Sequence, residues 1–270
     1  MVEKINLQGK TAIITGGAGV LCSTIAEELA NSGVNAIIID ISEEKLKEMA
    51  EEIDSDNLET YRASVLDQER LLEVKEEVLE QHGSIDILIN GAGGNKPRAT
   101  TGEEQEFFDI DQEDIGDVFD LNFQGTVLPC QVFGEAMKEQ KEGIIINVSS
   151  MAAFKPLTKT IAYSAAKSAV SNFTQWLAVH MNQNYSENIR VNAIAPGFLL
   201  TEQNRYLLID EETGEETERG QKIKDNTPMN RYGRPDELLG AVKWLCSDLS
   251  SFVNGIVLPI DGGFSAYSGV

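Results

Sequence analysis

Short apolar runs rich in β-branched residues alternate with amphipathic stretches along most of the 270-residue chain. Residues 11–15, 36–40, 85–90, 144–148 and 189–194 are short, mainly apolar runs, the pattern of strands buried on both faces of a parallel sheet. Residues 58–65 give a weaker strand pattern and 255–260 a late one. Between them apolar positions recur at the helical period. Helices are predicted over 21–31, over 43–53 behind a Ser42 cap, over 68–81 behind an Asp67 cap, and over 115–140. Another opens at Tyr163, with Ala166, Ala169, Val170, Phe173 and Leu177 on one face. Pro235, with Asp236 and Glu237 behind it, begins a helix through Cys246. Alternating strands and helices imply right-handed crossovers, hence an α/β fold with a doubly wound parallel sheet of about seven strands and helices on both faces. One domain over 1–270 is predicted. Only 201–234 breaks the rhythm, and a connection of that length suggests a lid over a substrate.

Charge narrows the partners. There are 44 acidic residues against 22 basic ones, a net charge of −22, which excludes nucleic acid and anionic membrane surfaces as partners. Cys22, Cys130 and Cys246 have neither metal spacing nor a disulfide pattern, so no metal is expected and a reducing compartment fits. No apolar run approaches the ~18 residues of a membrane span, and Met1 to Asn6 do not resemble a signal peptide. A soluble, cytoplasmic protein is expected. His82 and His180 lie in no suggestive setting, which argues against a histidine-based triad.

The candidate chemistry centres on Tyr163 and Lys167, which leave one helix face one turn apart. A phenol ordinarily titrates near pKa ~10, and a neighbouring ammonium lowers that value, making Tyr163 a candidate general acid/base. The spacing also occurs in helices with a half-buried tyrosine and a solvated lysine, so it needs an electron carrier beside it. Strand one runs directly into Thr15-Gly16-Gly17-Ala18-Gly19-Val20-Leu21-Cys22 and then a helix. Glycines there let backbone approach a pyrophosphate resting on the helix N-terminus, although any tight turn favours glycine. Asp40 closes strand two about 20 residues later, where a carboxylate accepts ribose hydroxyls and repels a 2′-phosphate. Ile41 rather than arginine follows, so NAD(H) is expected over NADP(H).

With these features in place the whole chain resembles the short-chain dehydrogenase/reductase family, whose fold is Rossmann-type and binds NAD(P). Tyr163 and Lys167 match its Tyr-x-x-x-Lys pair, Ser150 its serine 13 residues earlier, and Asn122 in Leu121-Asn122-Phe123-Gln124-Gly125 its catalytic asparagine. Asn90-Gly91-Ala92-Gly93 stands for the family's Asn-Asn-Ala-Gly, Pro196-Gly197 for its Pro-Gly with Thr201 beyond, and Asp261-Gly262-Gly263 for its last strand end. Two departures stand out. Val20 and Cys22 replace the second and third glycines of the first motif, and Ser64-Val65 replaces an Asp-Val beside adenine. The wording of four stretches, among them 16–22, 91–97 and 196–205, resembles one branch, the bacterial D-mannonate oxidoreductases (fructuronate reductases).

The resemblance implies hydride transfer between nicotinamide and a carbon bearing an alcohol or ketone. Tyr163 would exchange the proton, Ser150 would hold the substrate oxygen, Lys167 would lower the tyrosine pKa and hold the ribose, and Asn122 would hold a water leading to Lys167. The expected cofactor shell is Gly16, Gly17, Gly19, Val20, Leu21, Asp40, Ile41, Ser64, Val65, Asn90, Gly91, Ala92, Pro196, Gly197 and Thr201 with the catalytic pair. A homotetramer is implied as well. A sugar-acid substrate needs a local cation. Lys96, Arg98, Lys155 and Arg205 are candidates, with Arg205 favoured for its planar fork and Asn95, Gln203 and Asn204 for sugar hydroxyls. A gluconate 5-dehydrogenase type, an oxoacyl carrier-protein reductase and a non-catalytic dinucleotide sensor remain as alternatives.

Overall fold

The computed structural model describes residues 5–53, 55–201, 204–210 and 213–269. Its frame is a wholly parallel seven-stranded sheet with strand order β3-β2-β1-β4-β5-β6-β7. The strands are β1 (Thr11–Thr15), β2 (Asn35–Asp40), β3 (Leu58–Arg62), β4 (Ile87–Asn90), β5 (Gly143–Val148), β6 (Ile189–Pro196) and β7 (Val257–Ile260). The helices are α1 (Val20–Asn31), α2 (Glu43–Glu52), α3 (Gln68–His82), α4 (Gln112–Phe119), α5 (Gly125–Gln140), α6 (Ile161–Asn184), α7 (Arg205–Leu208), α8 (Glu218–Asp225) and α9 (Leu239–Leu245).

The continuous apolar runs are explained by two cores, one on each face. Ile14, Ile38, Ile89 and Ile146 point to one side and pack against Ile25, Ala26 and Leu29 of α1 and Val242 and Leu245 of α9. Their neighbours Ile13, Ile37, Leu88 and Ile145 point to the other and meet Leu71 and Val74 of α3, Phe133 and Met137 of α5, and Leu177 and Ala178 of α6. Full burial of one such side chain is worth about 1.5–3 kcal/mol, so both helix layers are held firmly. The strand order reverses between β1 and β4, which opens a crevice beyond their carboxyl ends. The Ser42 and Asp67 caps form as expected, accepting from Lys45 N at 3.3 Å and Arg70 N at 3.1 Å.

Four boundaries depart from expectation. The helix expected over 115–140 is two helices, joined by a π turn at Asp120–Gln124 that swings Asn122 fully inward. The strand expected from 85 begins at Ile87, because the Gln140 amide bonds both Ile85 N (3.0 Å) and Ile85 O (2.9 Å) and takes that residue out of the ladder. The strand expected over 58–65 stops at Arg62, and Ser64 turns the chain by accepting Leu66 N at 3.2 Å. The helix expected over 235–246 opens as a 3-10 turn at Pro235–Leu238 before α9. The stretch from 201 to 234, patternless in sequence, contains α7 and α8, tied by an antiparallel bridge between Ile209 and Glu216. Among the described residues no helix is long and apolar enough to cross a membrane.

Candidate active site

The carboxyl ends of β1 and β2 form the nucleotide end of the crevice. Gly16 has φ +61°, and a Cβ there would lie 2.6 Å from the Ala92 Cα, so only glycine fits. A Cβ on Gly17 would lie 2.5 Å from the Ile38 side chain. Gly19 caps α1 without a side-chain bond, so the first-turn N–H groups at Val20 and Leu21 stay open to an anion. Asp40 sits at the end of β2, accepting from Ala18 N (3.2 Å) and Ser42 N (3.0 Å), and retains acceptor capacity for ribose hydroxyls. Ile41 beyond it is exposed, whereas Val65 is buried against Gly125. A cradle without Cβ atoms, an open helix end and a carboxylate together fit an NAD(H) diphosphate and adenosine ribose.

One of the two departures from the glycine motif, Cys22, resolves as a packing exchange. A Cβ on Gly91 would lie 2.0 Å from Cys22 Sγ, so the thiol occupies the space that a side chain at 91 would fill. Bulk has moved from the β4 loop to α1. Val20, in place of the second motif glycine, is the first residue of α1, and its carbonyl accepts from Ser23 (3.1 Å) and Thr24 (3.0 Å) hydroxyls. Behind this loop Asn90 is buried and donates to Asn147 Oδ1 (2.9 Å) and Cys130 Sγ (3.1 Å). Its role in the structure is to tie β4 to β5.

Ser150 at the end of β5 and Tyr163 on α6 are hydrogen-bonded through their hydroxyls. Lys167 is buried beneath them, its Nζ 5.6 Å from the Tyr163 ring centroid and donating to Val148 O at 2.8 Å. Burial draws the Lys167 ammonium down to about 8. Tyr163 corrects the sequence expectation. Burial pushes its phenol above the ordinary value, the Ser150 hydrogen bond pulls it partly back, and Lys167 contributes no lowering. The ammonium points at a carbonyl rather than at the phenol oxygen, and dehydration of the phenolate dominates.

Asn122 is committed to the β4 loop. Its Oδ1 accepts from Gly94 N (3.1 Å), and its Nδ2 donates to Gly94 O and Val118 O (2.7 Å each). Both donors are therefore used, and only Oδ1 keeps a lone pair for the expected water. Gly93, absent from the predicted site residues, lies between the two polar groups. A Cβ there would be 2.6 Å from Asn122 Oδ1 and 3.2 Å from Lys167 Nζ. On the far side Gly197 follows Pro196 and packs where a Cβ would lie 2.6 Å from the Asp261 Cα.

A cleft of about 550 Å³ runs along the segment that joins Ser150 to Tyr163; residues 155–160, Phe198, Phe264 and α8 line it, and none of Asn122, Ser150, Tyr163 or Lys167 does. Phe198 and Phe264 meet edge-on with ring centroids 5.3 Å apart. The lining carries Lys155, Lys159, Arg219 and Lys222 against a single carboxylate, Glu218. Of the expected substrate residues, none but Lys155 among the proposed cations lies on it. Lys96 pairs with Asp117 at 2.5 Å, Arg205 is exposed at the start of α7, and Arg98 is exposed outside the lining. Asn95 donates to Thr100 Oγ1 at 2.8 Å. Asn204 clips the chain after β6, accepting from Thr201 N (2.9 Å) and donating to Leu199 O (2.8 Å), which leaves one donor and one lone pair of its amide unused. Gln203 lies outside the described residues. Lys159 and Arg219 escaped the sequence reading because they fall in stretches with no apolar periodicity; Phe198 was detectable as the residue after Pro196-Gly197.

Comparison with known proteins matches residues 10–212 to the short chain dehydrogenase family. The chain belongs to that family. It is 49% identical to an uncharacterized oxidoreductase of Bacillus subtilis, with 98% of each chain covered. A solved structure from Haemophilus influenza, provisionally assigned as a D-mannonate oxidoreductase and containing NAD, is 49% identical with a TM-score of 0.90 over 98% of both chains. A provisionally assigned gluconate dehydrogenase from Agrobacterium tumefaciens has a TM-score of 0.86 at 27% identity, over 97% of this chain and 98% of its own. Like other members, this chain is an oxidoreductase acting on a CH–OH group and its carbonyl.

Proposed function

We propose that this oxidoreductase interconverts D-fructuronate and D-mannonate, or a closely similar sugar acid and its ketone. Its cofactor is NAD(H), as the Asp40 carboxylate and the NAD-containing relative support. The observation that carries the substrate class is the cleft's charge: four cations and one carboxylate line it in a chain of net charge −22. Such a chain repels anions at long range, so a concentrated positive lining is what an anionic substrate requires.

NAD(H) bound in the cradle supplies or takes up the hydride. Tyr163 gives its proton to the oxygen that becomes the alcohol, and a phenol raised by burial holds that proton at neutral pH. Ser150 hydrogen-bonds the same oxygen and steadies its developing charge. Lys167, anchored on Val148 O, would hold the nicotinamide ribose, and Asn122 fixes the Gly93–Gly94 backbone beside the lysine.

The test is NADH and NADPH oxidation over D-fructuronate, 5-keto-D-gluconate and an acetoacetyl ester, with Tyr163→Phe alongside. D-fructuronate with NADH should be the best pair, and Tyr163→Phe should lose about 10²–10⁴-fold while retaining NADH. Preference for the acetoacetyl ester would overturn the assignment. Preference for 5-keto-D-gluconate would favour the gluconate dehydrogenase reading, which the Agrobacterium tumefaciens structure supports.

A further inference from the structure

Of the cleft's four cations, two are already engaged: Lys155 donates to the Tyr267 carbonyl and Lys222 pairs with Glu218 at 2.6 Å. Lys159 and Arg219 make no side-chain ion pair or hydrogen bond among the described residues, although Lys159 lies within the field of Glu218. Of these two, Arg219 carries the planar fork, lines the cleft and is exposed.

The helix carrying it is firmly placed. Thr217 caps α8 by accepting Gly220 N at 3.0 Å, and Lys224 pairs with Glu216 at 2.5 Å. Gly220, next to Arg219, is pressed so closely that a Cβ there would lie 2.2 Å from Leu208 O. That contact permits only glycine and fixes the turn from which Arg219 projects. A planar guanidinium on a fixed backbone, with both edges uncommitted, suits a carboxylate, which it binds through two parallel hydrogen bonds.

We infer that Arg219, in the first turn of α8, reads the carboxylate of the substrate, with Lys159 as a second positive charge in the same lining. Arg205 does not have this role, since it stands outside the cleft lining. Arg219 acts this way only if the substrate is a sugar acid, as proposed above.

The experiment measures NADH-dependent reduction of D-fructuronate and of D-fructose, an uncharged ketose, by wild-type, Arg219→Ala, Arg219→Lys and Arg205→Ala protein. In Arg219→Ala the KM for D-fructuronate should rise about 10- to 150-fold, the loss of one charge-assisted contact, with a much smaller change in kcat. The preference for the acid over the neutral ketose should fall by a similar factor. Arg219→Lys should lie between, since a point charge replaces a fork. Arg205→Ala should keep the wild-type preference. NADH titration and melting curves for each variant separate a lost contact from a lost fold, and Arg219→Lys decides if Arg219→Ala fails to fold. An unchanged preference in Arg219→Ala, or an equal loss in Arg205→Ala, overturns the inference while leaving the sugar-acid function standing. No reduction of any sugar acid by wild-type protein overturns both.

Discussion

Lys167 is the residue whose burial has the clearest thermodynamic signature. In the folded chain its ammonium titrates at about 8, against an ordinary 10.5. The unfolded chain therefore binds a proton that the folded chain has released between those two values, and stability rises across that window. Below about pH 8 the full cost of the buried charge is present, of order 3 kcal/mol. A Lys167→Met variant should accordingly be more stable than wild type at pH 7, less whatever the Val148 hydrogen bond contributes. The difference should shrink as pH approaches 10.5. Denaturant titrations of both proteins at pH 7, 8.5 and 10 check this; a constant difference would mean the lysine is not the titrating group. The same residue marks a boundary of what sequence shows. Its spacing from Tyr163 was legible, because four residues on a helix determine a shared face. The direction of the Tyr163 shift was not, because desolvation depends on what packs around the ring.

Elements were legible where apolar periodicity was strong, as in β1, β2, β5 and α3, and obscure where a side chain interrupts a ladder. The π turn at Asp120–Gln124 is an example. Nothing in Leu121-Asn122-Phe123 announces an extra residue in the turn, since its cause is the amide's partner across the crevice at Gly94. The contact between α1 and the β4 loop is another. Cys22 and Gly91 each look like a lapse from a motif until their separation is known. Gly91→Ala should destabilise wild-type protein by about 1–3 kcal/mol through overpacking. In a Cys22→Gly background the same change should cost at least about 1 kcal/mol less, because the sulfur that blocks it is gone. A four-protein unfolding cycle measures that coupling, and equal costs in both backgrounds would mean that Thr15 O, 2.9 Å from the same position, sets the limit.

At the scale of the molecule, the sheet and its two layers followed from the chain's pattern, whereas the cleft did not, because 201–234 has no pattern from which to place α8. The outer surface makes its own statement. Phe123, Phe173, Trp176, His180 and Tyr185 form a continuous file of ring contacts along α6, with Trp176 and Val179 each 56% exposed. Beside it α5 and α6 frame a hollow of about 510 Å³. We expect copies of the chain to cover this face in a homotetramer. Light scattering at micromolar concentration should give four times the chain mass of 29.6 kDa, and Trp176→Glu should give a smaller species. A wild-type monomer would refute it.

The packing of Cys22 also gives the protein an internal clock. All three thiols are buried, and burial pushes each up to about 12, so none forms the reactive thiolate at neutral pH. They sit in different places: Cys22 under the nucleotide turn, Cys130 on the face of α5 that meets Asn90 of β4, and Cys246 at the end of α9. An alkylating reagent can reach each one only when its own neighbourhood opens. The order in which the three are modified, followed by mass spectrometry, therefore records which part of the molecule breathes first, and ligand that settles into the nucleotide turn should slow Cys22 before the other two.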